Sequence, residues 1–246
     1  VRRCYFVQDL ESLFEPAGST SAFCEATYRF GFHGITAGRW LADKLAADYG
    51  MPTSPVGFAC DRAIYQPYPR TETGRRVLFY GRPSTYRRAF ELGLIALGKV
   101  AERHKDVEFV FVGGRLDGYR IPFRHRCEGV LDFPSLARLY SQCDIAVVLS
   151  MSNLSLLPLE LMACGVPVVS NRAPCTEWLL SDRIAQLVSP TIDGIAEGVS
   201  SLLEDEPRRL MLRRAGLEAA QNASWEAEGD RLANILSSLH EGASRG

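Results

Sequence analysis

Hydrophobic and polar positions alternate along this chain with two rhythms. Short apolar runs read as buried strands, and longer segments with apolar residues every three to four positions read as helices. The first part opens with a strand at Tyr5-Phe6-Val7, a helical stretch near Ser21–Phe30, a strand at Ile35-Thr36-Ala37 and a helix over Gly38–Tyr49. Ser54–Phe58 reads as another strand, and Asp61 to Pro69, with its two closely spaced prolines, as an extended linker. Beyond the polar spacer Arg70–Arg75 the alternation becomes regular. Strands are expected at Val77–Tyr80, Val107–Val112, Gly129–Phe133, Ile145–Leu149, Val166–Val169 and Ile184–Val188. Helices are expected over Arg87–Arg103, Pro134–Gln142, around Glu160, and over Thr191–Leu203, Pro207–Asn222 and Trp225–His240. Strands alternating with helices of this length imply an α/β fold, a doubly wound, Rossmann-like parallel sheet that binds ligands at the carboxyl ends of its strands.

At 246 residues the chain exceeds one average domain. Its 46% hydrophobic and 23% charged content is that of a globular protein. A net charge of −1 gives no general attraction to nucleic acid or to an anionic membrane, so no nucleic-acid partner is expected. The seven cysteines are scattered and never spaced C-x-x-C, which argues for reduced thiols in a cytoplasmic protein and against a zinc site. No metal and no cofactor are expected, because no Cys/His/Asp cluster has ligand spacing. No apolar run approaches the ~20 residues of a spanning helix, and the start does not read as a signal peptide. The sequence begins at Val1, inside what reads as a fold, so the expectation is a piece of a longer enzyme.

The densest information lies in residues 150–171, SMSNLSLLPLELMACGVPVVSN. Pro158 suits the first turn of a helix, Leu161–Cys164 continues it, and Gly165 can end it in the left-handed conformation. Val166–Val169 then reads as a buried strand with Pro167 at its start. The free amides of such a helix start favour an anion, while Glu160 in the first turn can accept hydrogen bonds from a neutral diol. Phosphate for the amides and sugar hydroxyls for the carboxylate suggest a nucleotide-sugar site. A glutamate serving only its own helix dipole is the plainer alternative.

This stretch resembles the donor-site signature of retaining GT-B glycosyltransferases, in which two glutamates separated by seven residues precede a Met-Ala-x-Gly-x-Pro-Val-Val run. Glu160 matches the second glutamate, which the resemblance makes the ribose ligand. The position of the first, which contacts the donor sugar, is Ser152, a departure that bears on sugar identity and on catalysis. Tyr5 to Glu11, with Phe14-Glu15-Pro16-x-Gly18-Ser19, is similar to the end of the first domain in rhamnosyltransferases of polysaccharide (rhamnan) biosynthesis. Trp225–Glu228 resembles the start of the terminal helix that crosses back to that domain. The implied organisation is residues 1–70 as the tail of an acceptor-side domain and linker, 71–223 as the donor-binding domain, and 224–246 as the returning helix.

After the strand Val77–Tyr80 comes Gly81-Arg82, with Arg87 and Arg88 close behind. A guanidinium at a strand end can grip a diphosphate bidentately, and a second can neutralise the remaining charge. In the family an arginine and a lysine stabilise the departing nucleoside diphosphate there. Arg82 matches the arginine, and Arg87 or Arg88 stands for the lysine, so Arg82, Arg87 and Glu160 are expected to carry catalysis. The resemblance further implies that the segment with Val130 and Leu131 presents backbone groups to the base. Ser152, Asn153, Ser155 and Leu157 would line the donor, and the small polar groups among them suit a deoxy sugar; loop and cap chemistry is the alternative for the serines and the asparagine. The basic run Arg115, Arg120, Arg124, His125 and Arg126 reads as a solvated loop, and His33 as a structural histidine.

The reading that follows is a hexosyltransferase-type glycosyltransferase, or its donor-binding half. It would move a sugar from a nucleotide diphosphate sugar to a glycan or polysaccharide acceptor with retention, and dTDP-rhamnose is the first donor to test. Membrane association is expected only as a peripheral property of an absent domain. The isolated chain is expected to bind a nucleotide diphosphate without transferring sugar. Two alternatives from other classes are a non-catalytic nucleotide-sugar-binding module and an isomerase like the nucleotide-sugar 2-epimerases.

Overall fold

The structure, a computed structural model, describes residues 3–244. In chain order the elements begin with β1 (Cys4–Val7), α1 (Ser19–Thr27), β2 (His33–Ala37), α2 (Arg39–Tyr49) and β3 (Thr53–Val56). There follow β4 (Arg76–Tyr80), α3 (Phe90–Arg103), β5 (Glu108–Val112), β6 (His125–Cys127), α4 (Phe133–Tyr140) and β7 (Ile145–Val148). The series closes with α5 (Leu157–Ala163), β8 (Val168–Asn171), α6 (Pro174–Glu177), β9 (Gln186–Val188), α7 (Ile192–Glu204), α8 (Glu206–Asn222) and α9 (Trp225–Ser244). Two compact units result. Unit 1 takes residues up to 59, the tripeptide 152–154 and residues from 223 onward; unit 2 takes 60–151 and 155–222.

Unit 1 is built on a parallel sheet of order β1-β2-β3. Val7, Leu10, Tyr28, Leu41 and Leu45 form its core. The Gly57 N–H donates to Glu228 Oε2 at 2.6 Å, so α9 is pinned beside the residues that follow β3. His33 sits in β2 with Nε2 3.0 Å from Ser54 Oγ, a structural place between neighbouring strands.

Unit 2 holds a six-stranded sheet of order β6-β5-β4-β7-β8-β9 in which every pairing is parallel. Both faces of such a sheet are covered, which is why β7 and β8 read as unbroken apolar or small-residue runs and are buried throughout. Val77, Phe79 and Val147 share a cluster with α3 and α7 residues such as Leu97, Val100, Val199 and Leu202. The doubly wound α/β class is therefore as expected, and the strand order reverses between β4 and β7, the place where such sheets bind ligands.

Several boundaries differ from the sequence reading. The strand expected at Gly129–Phe133 is instead β6, just upstream, and Gly129 at φ 64° ends that edge. Phe133 already belongs to α4, because Asp132 accepts from the Ser135 N–H and starts the helix. The helix expected from Arg87 starts only at Phe90. Arg87 and Arg88 lie in a single 3₁₀ turn, separated from α3 by Ala89 in the left-handed region at φ 48° and ψ 46°. The short α6 was not foreseen, being one turn only.

Gly93 inside α3 looks like a helix weakness until its neighbour is seen. A Cβ there would lie 2.3 Å from Phe79 Cζ, and that ring is stacked on Phe90 at 5.8 Å. Gly93→Ala gains ~1 kcal/mol of helix propensity but overpacks a close-packed core, for which ~1–3 kcal/mol is usual. The expected result is a net loss of stability in urea denaturation. A stabilised variant would show that the Phe79 ring can slide away.

Candidate functional site

The loops at the reversal point gather one cavity of about 280 Å³, lying wholly in unit 2. The carboxyl end of β4 supplies Tyr80 and Arg82, the end of β7 supplies Val148 and Leu149, and Arg88 reaches in from the turn before α3. Phe133, Leu136 and Tyr140 of α4 form a second side, and Ser155, Leu156, Leu157 and Glu160 a third. Tyr65, from the proline-flanked linker, completes the lining.

Local sequence explains each placement. Pro158 occupies the first turn of α5, and the helix stops in a Schellman arrangement, with Val166 N–H donating to Leu161 O and Gly165 N–H to Met162 O. Gly165 takes φ 77°, which a side chain would resist. The helix is thereby held to two turns, and Glu160 is fixed in the first. The arginine turn is equally determined. Arg82 O accepts from Thr85 N–H at 2.9 Å, Thr85 O from Arg88 N–H at 2.8 Å, and Arg87 O from Met151 N–H at 2.8 Å.

Two cations and one acid thus face a common space. Arg82 is exposed and forms no ion pair among the described residues. Arg88 donates to Ser150 Oγ at 2.6 Å. Ser150 in turn is locked by Asn171, whose Oδ1 accepts from Ser150 N–H and whose Nδ2 donates to Ser150 O, each at 2.8 Å. Burial lifts the Glu160 carboxyl to about 7, and hydrogen bonding from the Tyr65 hydroxyl opposes that rise only in part. The acid is therefore poised near neutrality, as a group awaiting a polar ligand would be.

Of the residues expected from sequence, Arg82, Arg88, Ser155, Leu157 and Glu160 line this cavity together. Arg87 does not; its backbone carbonyl instead ties the turn to Met151. Val130 is 80% exposed, and neither it nor Leu131 is among the lining residues. Ser152 and Asn153 belong to unit 1, where Ser152 Oγ donates to Asp9 Oδ2 at 3.0 Å and Asn153 N–H to Asp9 Oδ1 at 2.8 Å. Asn153 Nδ2 donates to Gln8 O and Ala37 O. Three members of the basic run are paired locally: Arg115 with Asp117, Arg124 with Glu108, and Arg126 with Glu72 and Glu128. No cluster of three or more potential metal ligands, and no helix long and apolar enough to cross a membrane, occurs among the described residues.

Sequence reasoning missed Tyr65, Phe133 and Tyr140. Tyr65 sat in what read as an extended linker, and Tyr140 repeats the Leu136 face one turn later, a pattern that signals core.

Residues 75–200 match the family model described as WsaF, C-terminal domain. The O-antigen biosynthesis protein RfbC of Myxococcus xanthus is 36% identical over 98% of the chain, which spans 19% of that protein. A GDP-mannose-dependent alpha-(1-6)-phosphatidylinositol monomannoside mannosyltransferase of Mycolicibacterium smegmatis is 27% identical over 85% of the chain and is spanned to 56%. Among solved structures, Anabaena Alr3699/HepE in complex with UDP-glucose superposes with a TM-score of 0.79 at 18% identity, over 96% of this chain and 72% of that one.

Proposed function

Because the chain belongs to the WsaF C-terminal-domain family and has the GT-B glycosyltransferase type of fold, we propose that it is the donor-binding part of a glycosyltransferase that takes a nucleotide diphosphate sugar. The observation that carries the reading is the convergence of Arg82, Arg88 and Glu160 on one cavity at the reversal of the sheet. The two guanidiniums suit the diphosphate, with Arg88 held in place by Ser150. As the bond to the sugar breaks, charge grows on the outer phosphate, and preorganised cations stabilise it. The Glu160 carboxylate accepts from ribose hydroxyls. Phe133, 64% exposed although it lines the cavity, offers a flat face for the base. The sugar then passes to a glycan or polysaccharide acceptor, in the manner that the name of the Myxococcus xanthus relative suggests. Transfer with retention and a dTDP-rhamnose donor are the finer parts of this proposal.

The test is calorimetric. Titrations of UDP, dTDP, GDP and the matching free nucleosides should show diphosphates binding much better than nucleosides. Arg82→Ala should weaken the diphosphates by roughly tenfold or more, in line with ~1.5–3 kcal/mol for a charged hydrogen bond, and leave nucleoside binding nearly unchanged. Equal weakening of both ligand classes would make Arg82 a structural residue and sink the assignment.

A further inference from the structure

Tyr140 is 0% exposed, and its hydroxyl forms no hydrogen bond among the described residues although it is fully shielded from water. It nevertheless lines the cavity that holds Glu160. Its ring lies against Tyr65, centroids 6.3 Å apart and planes 15° from parallel. The two tyrosines differ in one respect: the Tyr65 hydroxyl is close enough to Glu160 to hold its carboxyl down against burial, and the Tyr140 hydroxyl has no hydrogen-bond partner among the described residues. Buried polar groups are rarely left in that state, and an orphan in a pocket wall asks for a ligand atom. The groups around it are Glu160 on α5, Tyr65 in the linker, Tyr80 on β4 and Cys164. Burial holds the phenols of Tyr65 and Tyr140 well above the ordinary tyrosine range, so both stay neutral proton donors near pH 7.

We propose that Tyr140 is a ligand-contacting specificity residue, whose phenol donates a hydrogen bond to the same sugar hydroxyl that gives its own proton to the Glu160 carboxylate. This rests on the nucleotide-sugar reading above and extends it. A sugar hydroxyl is both donor and acceptor, a carboxylate only accepts, and the buried phenol has a proton to give. The pair therefore satisfies both sides of one hydroxyl. It also satisfies the orphan, which an occupant lacking that hydroxyl would leave unpaired. Sites built this way discriminate strongly against the analogue that lacks the group.

Tyr140→Phe keeps the ring and its stacking and removes only the oxygen. Ligand-free stability, read by urea denaturation, should stay equal or rise, because no partner is lost. Affinity for UDP should fall about fivefold, the usual worth of a neutral hydrogen bond. Repeating the titration with 2′-deoxy- and 3′-deoxy-UDP, or the guanosine series if GDP binds better, identifies the hydroxyl. For one of these analogues the variant and the unaltered chain should bind equally. A lower ligand-free stability, an unchanged UDP affinity, or equal weakening for all three ligands would overturn the proposal while leaving the nucleotide-sugar reading intact. Failure of the unaltered chain to bind any nucleoside diphosphate would overturn both.

Discussion

Glu160→Gln is expected to stabilise the empty protein at pH 8 and at the same time to weaken its ligand. In the folded chain burial raises the Glu160 carboxyl from its ordinary 4.5 to about 7. The folded state therefore holds its proton when the unfolded chain has already released it. Stability linked to this group is fully present below about pH 4.5 and is lost progressively as pH rises through about 7. One pKa unit corresponds to ~1.4 kcal/mol, so the neutral amide should gain about 3 kcal/mol over glutamate at pH 8 and nothing near pH 4. Urea denaturation at the two pH values reads this directly. Binding should move the opposite way. A carboxylate accepting from hydroxyls is worth ~1.5–3 kcal/mol, so affinity for a nucleotide sugar should drop roughly ten- to a hundredfold. A nucleotide sugar is the better probe than a diphosphate, since its phosphates do not titrate in this window. The unaltered chain should also bind it more tightly at pH 8 than at pH 6. A variant that loses affinity and stability together at pH 8 would mark Glu160 as a structural acid.

Asp9→Ala should be the most damaging polar substitution in unit 1. Asp9 is 7% exposed, and its carboxylate accepts from the N–H of Leu10 and Asn153 and from the Ser152 hydroxyl. Alanine would leave the last two as buried donors with an acceptor gone, and each hydrogen bond to a charged group is worth ~1.5–3 kcal/mol. A loss of about 3–5 kcal/mol is expected, with Asp9→Asn costing less because one acceptor oxygen survives. Equal, small losses for both would show that water replaces the carboxylate. The same geometry bears on position 152. A glutamate there would bring a second carboxylate onto Asp9, and Ser152→Glu should destabilise for that reason.

The alternation of strands and helices was legible because the longer elements of unit 2 have their own periods, and α5 because Pro158 and Gly165 bracket it chemically. Arg82 and Glu160 could be named for the same reason, since each follows from a local motif. What escaped depended on distant partners or on unfavourable backbone. Nothing in the run Tyr86–Phe90 announces that Ala89 turns left-handed, so Arg87 and Arg88 were read into the helix. Ser152 and Asn153 were read as donor contacts from their place on the loop before α5, and the sequence could not show that they also hydrogen-bond to the Asp9 carboxylate, 143 and 144 positions away. Tyr140 escaped because a helical period shows which face is buried, not whether a buried hydroxyl has a partner.

The tripeptide 152–154 has a bearing on how this chain could be recombined. Residues 60–222 are not a clean cassette, because three of them group with unit 1. A graft from a related protein would bring its own tripeptide to meet the host's Asp9. If that tripeptide carried a glutamate at the position of Ser152, the chimera would set two acids together, and each half would be sound while the hybrid failed. Exchange of specificity by swapping halves is thus confined to donors whose tripeptide is compatible with an aspartate, unless position 9 changes in step.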